Sequence, residues 1–283
     1  MAGLAPEFVS LSTTRLRALV VPREHGAWGM LLVPLATGAA TGLMRGGRAL
    51  PLLIFLVAAI AAFWLRTPLE SWLGTTPLRA QNAAERRTVL AFILSLSAVA
   101  ALMFTALFWG EQNRALLPLG AVVVLAFMAQ AALKKLSRSL RMAAQVVGAI
   151  GLTATAPAAY IVATGRFDSV ALALWLSNWL FAGDQIHFVQ LRIHTVKVEG
   201  IAGKLRCGRA FLAGQIALAV VLIVAASSRI LPWLALLAFA PVLLRGIAWF
   251  LRSAQPLAVR RLGWSELGHA LAFGALLVVA FRF

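Results

Sequence analysis

Charged and turn-forming residues divide this chain into apolar runs of one recurring length. The runs occupy about residues 26–44, 48–65, 88–109, 116–133, 142–164, 169–190, 209–227, 230–251 and 264–282. A helix needs about 20 predominantly apolar residues to cross the hydrocarbon of a bilayer, with roughly 17 to 25 as the working range, and every run falls within it. The pattern predicts an all-α fold, a polytopic membrane helix bundle of about nine transmembrane helices. The last two runs are interrupted by Arg245, Glu266 and His269.

The basic residues give the runs a direction. With the N-terminus placed in the cytosol and the C-terminus outside, six of the 26 (Arg45, Arg48, Arg114, Arg166, Arg229 and Arg282) fall in outer segments. Arg245 lies within a run, and the remaining 19 fall in inner segments. Positive charge is retained on the cytosolic side of membrane helices, and a wrong helix count would invert every later loop. The inner loops after the second, sixth and eighth runs are also the long ones, so loop chemistry is expected on the cytosolic side. Trp64, Trp109, Trp233 and Trp249 fall near run ends, where interfacial aromatic anchors are expected.

Composition agrees with this and closes other classes. Of 283 residues 61% are hydrophobic and 12% charged, the formal charge is +17 and the mean hydropathy is +0.89. A soluble domain carries about a quarter charged residues, and a nucleic-acid binder would display its basic residues beside an ordinary core. No nucleic-acid partner is expected; membrane lipids are, because the anionic leaflet surface attracts juxtamembrane basic residues. The single cysteine, Cys207, excludes an intrachain disulfide and a thiolate zinc site. The apolar stretch 16–22 is too short and too late for a secretory signal. Residues 1–24 are therefore expected to form a cytosolic tail and 25–283 a single transmembrane domain.

Three polar clusters stand at inner run ends. Arg23, Glu24 and His25 precede the first run, where a helix N-terminus favours anions. Asp184, His187, Leu191 and His194 share one helical stripe at the end of the sixth run, with Arg192 beside them and Asn178 deeper. Asp184 is expected about 9 Å inside a boundary near Gln190, from the helical rise. An acid at that depth wants a partner, which His187 or an arginine from a neighbouring loop would supply. Asp184 and His187 read either as an acid–base pair or as a hydrogen-bonded structural cluster. The ligand set falls short of the three that a catalytic zinc needs, so no metal and no cofactor is expected. The third cluster follows the second run, where Arg66 and Glu70 are spaced to pair across one helical turn, with Arg79, Asn82, Glu85 and Arg86 beyond.

The run Pro22-Arg23-Glu24-His25-Gly26-Ala27-Trp28-Gly29-Met30-Leu31, with Phe188-Val189-Gln190-Leu191-Arg192-Ile193, resembles the YwiC-like family of bacterial integral membrane proteins. The resemblance implies a place in the bacterial cytoplasmic membrane and no particular activity. The layout is also similar to that of UbiA-type prenyltransferases, which carry aspartate-rich magnesium motifs after the second and sixth spans. Here those places hold Arg66 with Glu70 and Asp184 with His187, so no catalytic residue carries over.

Three functions follow as expectations. One is a cytosol-facing pocket that binds an anionic amphiphile, a lipid or prenyl phosphate. Arg23, Glu24, His25, Arg66, Glu70, Asn178, Arg192 and His194 would contact it, and Asp184 with His187 would act as acid and base. The alternatives are a small-solute or proton-coupled transporter and a non-catalytic membrane assembly subunit.

Overall fold

Residues 15–22, 25–75, 78–110, 114–196, 198, 200–252 and 258–282 are described by the computed structural model, and every regular element among them is helical. The helices are α1 (15–20), α2 (His25–Met44), α3 (Ala49–Leu73), α4 (Ala83–Thr105, continued by a π turn to Gly110), α5 (Leu116–Leu136), α6 (Arg141–Thr153), α7 (Thr155–Thr164), α8 (Ser169–His194), α9 (Ile201–Ser227), α10 (Ala235–Leu251) and α11 (Val259–Ala280). Each of the nine apolar runs coincides with helix. Among the described residues, seven helical stretches are long and apolar enough to cross a membrane. The other two runs are α8, whose 26 residues carry more polarity, and α10, which has 17 residues.

The chain forms two compact units, Met1–Glu24 with Ala49–Arg114, and His25–Arg48 with Ala115–Phe283. In the first, α3 packs on α4. α3 runs on through Pro68 to Leu73 and stops at Gly74, whose φ of 67° lets the Thr75 amide return to the Glu70 carbonyl. The carbonyls at the end of α1 would be orphaned. Ser71 Oγ donates to Leu19 at 3.1 Å and Trp64 Nε1 to Val20 at 2.8 Å. Asn82 caps α4 by accepting the Glu85 amide at 2.7 Å, and the Glu85 carboxylate takes the Gln81 amide and the Arg15 guanidinium. This is a near relative of the capping box, with an added ion pair.

In the second unit, small residues set the spacing of the helices. Gly38 and Gly42 lie one turn apart on α2 and press against α7, where a Cβ added at Gly38 would stand 2.0 Å from the Ala156 carbonyl oxygen. Thr155 to Ala163 are all buried. Without a hydrophobic drive between helices in lipid, such close backbone approach supplies the packing energy. The fifth apolar run is continuous in sequence but breaks into α6 and α7 at Ala154. Pro157 explains the break: its ring opposes the carbonyl four residues back, Thr153. Threonine hydroxyls bond to backbone around the break: Thr153 Oγ1 donates to the Ala149 carbonyl and Thr155 Oγ1 to those of Leu152 and, on α2, Leu31.

Two expectations need correction. α9 begins at Ile201 rather than near 209, because the charge that marked a loop is absorbed: Lys204 is buried and its amine is hydrogen-bonded to carbonyls ending α10. Of the four tryptophans, Trp109 and Trp233 are exposed as anchors should be, but Trp249 is buried in an aromatic cluster with Phe188, Leu191, Phe211 and Phe250.

Gly38→Ala should lower stability by about 1–3 kcal/mol or more, the cost of overpacking against backbone that cannot yield. Gly26→Ala, where a Cβ meets nothing within 4 Å, should be neutral. Thermal unfolding of the two variants in detergent checks this.

Candidate functional site

Three buried charges of the second unit meet at one place. Asp184 of α8, Arg245 of α10 and Glu266 of α11 form a bridged triad. Arg245 Nη2 lies 2.6 Å from Asp184 Oδ2, and Nη1 pairs with Glu266 Oε2. The side chains are 2%, 8% and 10% exposed respectively, so water screens none of them. Gln215 of α9 donates Nε2 to Asp184 Oδ1, bringing a fourth helix to the cluster. The guanidinium also lies over the Phe188 ring, 4.0 Å from its centroid. Gln185, one residue after the acid, donates to the Glu266 backbone carbonyl at 2.8 Å.

Glycine makes the approach of α9 to α10 feasible. A Cβ at Gly246 would stand 2.9 Å from Gln215 Oε1 and 3.1 Å from the Phe211 ring. One turn further, Gly208 accommodates Phe250 in the same way. At the end of α10, Lys204 donates to the carbonyls of Trp249, at 3.0 Å, and Arg252, and its ammonium lies 5.2 Å from the Trp249 ring. This cation satisfies the acceptors that every helix C-terminus leaves open.

The expected pairing of Asp184 with His187 does not form. Both carboxylate oxygens of Asp184 are taken by Arg245 and Gln215, while the His187 ring stands edge-on to Phe211, centroids 5.2 Å apart. The partner is an arginine, but from helix α10 rather than a loop. Asn178 is buried and donates to Thr37 Oγ1 of α2 at 3.1 Å and to the Leu174 carbonyl at 2.8 Å. It tethers α8 to α2 rather than extending the Asp184 cluster. Arg66 and Glu70 pair across one turn at 3.2 Å, as their spacing predicts, and belong to the first unit. Arg23 and Glu24 lie outside the described residues, as does the side chain of His25.

His187 and His194 instead face an open cavity of about 820 Å³ at the C-terminal end of α8. Its wall combines Arg141, Gln145, Gln190, Ser139 and Thr195 with apolar Met142, Leu191 and Phe211. Arg192, half-buried in the last turn of α8, is not part of that wall. His194 is oriented by its Nδ1–H donating to the Gln190 carbonyl at 2.8 Å, which leaves Nε2 for a ligand. Gln190 is held in turn by Gln145 at 3.1 Å. α6 starts at Arg141 with no side-chain cap, so its N-terminal amides reach this end unsatisfied by any capping side chain. The sequence reading missed Arg141, Gln145 and Gln215; the first carried the signal of a basic residue opening an apolar run. Among the described residues no three His, Cys, Asp or Glu side chains come together to hold a metal.

Among the described residues, seven helical stretches of membrane-crossing length and apolarity mark a multi-pass helical membrane protein. Residues 21–160, just under half of the chain, match the family described as YwiC-like protein. Asp184, Arg245 and Glu266 lie beyond the matched residues. No curated protein and no solved structure matches the chain, so the layout similarity to UbiA-type prenyltransferases draws no support there.

Arg245→Met should cost about 3–5 kcal/mol, because it strands two buried carboxylates. Arg166→Met, at an exposed arginine, should change stability by under about 0.5 kcal/mol. Neutralising all three members of the triad together should recover most of the loss. Denaturant-induced unfolding of the four proteins gives the comparison.

Proposed function

We propose that the protein binds an anionic amphiphile, a lipid or prenyl phosphate, in the cavity at the end of α8, on the cytosolic side of the bacterial cytoplasmic membrane. The observation that carries the reading is the chemistry of the wall, where one arginine, two histidines, two amides and two hydroxyls stand beside methionine, leucine and phenylalanine. A phosphate headgroup would find charge-assisted donors at Arg141 and the α6 amides. Its chain would lie along the apolar residues. The cytosolic placement rests on the excess of basic residues near this end.

Cys207, the single cysteine of the chain, is exposed and lines the cavity, which supplies both tests. Phosphatidate in nanodiscs should slow maleimide labelling of Cys207 relative to phosphatidylcholine. Arg141→Ala should raise the amount of phosphatidate needed roughly tenfold, the effect of losing one charge-assisted contact. Equal labelling in the two lipids would end the proposal. A membrane-impermeant maleimide should label Cys207 in inside-out vesicles and spare it in intact cells; the reverse pattern would invert the assigned orientation.

A further inference from the structure

We propose that the Asp184–Arg245–Glu266 cluster is a proton-binding site, in which one exchangeable proton is shared by the two carboxyl groups. Two counts made at the cluster point the same way. In charge, two carboxylates face one guanidinium, leaving one negative charge unbalanced among side chains nine-tenths buried. In hydrogen bonds, Glu266 Oε1 and Gln215 Oε1 are buried acceptors without a partner, against a single unpartnered donor, Arg245 Nε. Gln215 is itself 7% exposed, with its amide already bound to Asp184. The cluster is therefore short of one positive charge and one donor. A proton on a carboxyl oxygen supplies both, whereas a metal cation would supply charge without a donor.

Among the described residues no other ionisable group stands in for it. On α8 the next is His187, one turn on, turned to Phe211 and the cavity. On α11, His269 is bonded through Nδ1 to the Ser265 carbonyl. Lys204 of α9 is spent on the end of α10, Arg141 of α6 lines the cavity, and Tyr160 of α7 is bonded to Asp168. Because Asp184 and His187 are three residues apart on one face of α8, about 4.5 Å along the axis, the cavity gives the proton a path from water. Ionisable residues within membrane helices mark such relays. The inference stands apart from amphiphile binding, since none of the three residues lines the cavity.

Infrared spectroscopy of the purified protein in nanodiscs tests it. The expected spectrum contains the carbonyl stretch of a protonated carboxylic acid that moves to lower frequency in D2O. The band should be lost in Glu266→Gln or Asp184→Asn and retained in Glu70→Gln. A wild-type spectrum without the band overturns the proposal even if the cluster variants do not fold. A band that survives in both cluster variants overturns it as well.

Discussion

The guanidinium of Arg245 is the contact on which the second unit depends. It ties α8 to α11 through two carboxylates and, with Gln215 holding Asp184 from the other side, makes four helices meet at one buried point. Within an apolar bundle none of these charges is tolerated alone, since desolvating an ion costs several kcal/mol that only a well-placed partner returns. Helix positions that would otherwise slide over similar apolar surfaces are thereby fixed.

Close packing serves the same end by different means. Gly38 and Gly42 bring α2 onto α7, and Gly246 and Gly208 bring α9 and α10 near enough for Gln215 and Phe250 to seat. The break at Ala154, imposed by Pro157, redirects α7 into its fully buried position. Thr155 then bonds to Leu31 of α2, converting a helix defect into a crosslink. The polar groups of α8 divide along its length. Asn178 anchors it to α2, Asp184 anchors it to α10, and His187 and His194 are left to the cavity.

Much of the helical framework was legible because it is local. Each apolar run is long enough to be a helix, and Arg66 with Glu70 pairs as a one-turn spacing requires. What the sequence obscured was wherever charge is answered from far away. Lys204 looked like loop charge because its acceptors lie 45 and 48 residues on. Asp184, Arg245 and Glu266 could each be marked as costly intramembrane residues, yet nothing in their spacing paired them. His187, the nearest candidate, went to Phe211 instead. Trp249 lay at a run end and still turned inward, because Phe250 offered it a ring to pack against and Lys204 a cation.

By itself, then, the sequence determined that this is an all-helical, polytopic protein, where its helices run and which residues would be expensive to bury. Length and hydropathy decide those matters one segment at a time. The tertiary structure alone decided which charges meet, which histidines reach the cavity and which of the polar residues serve packing. Those outcomes depend on helix rotation and approach, set by glycine contacts and by the requirement that each buried charge find its partner.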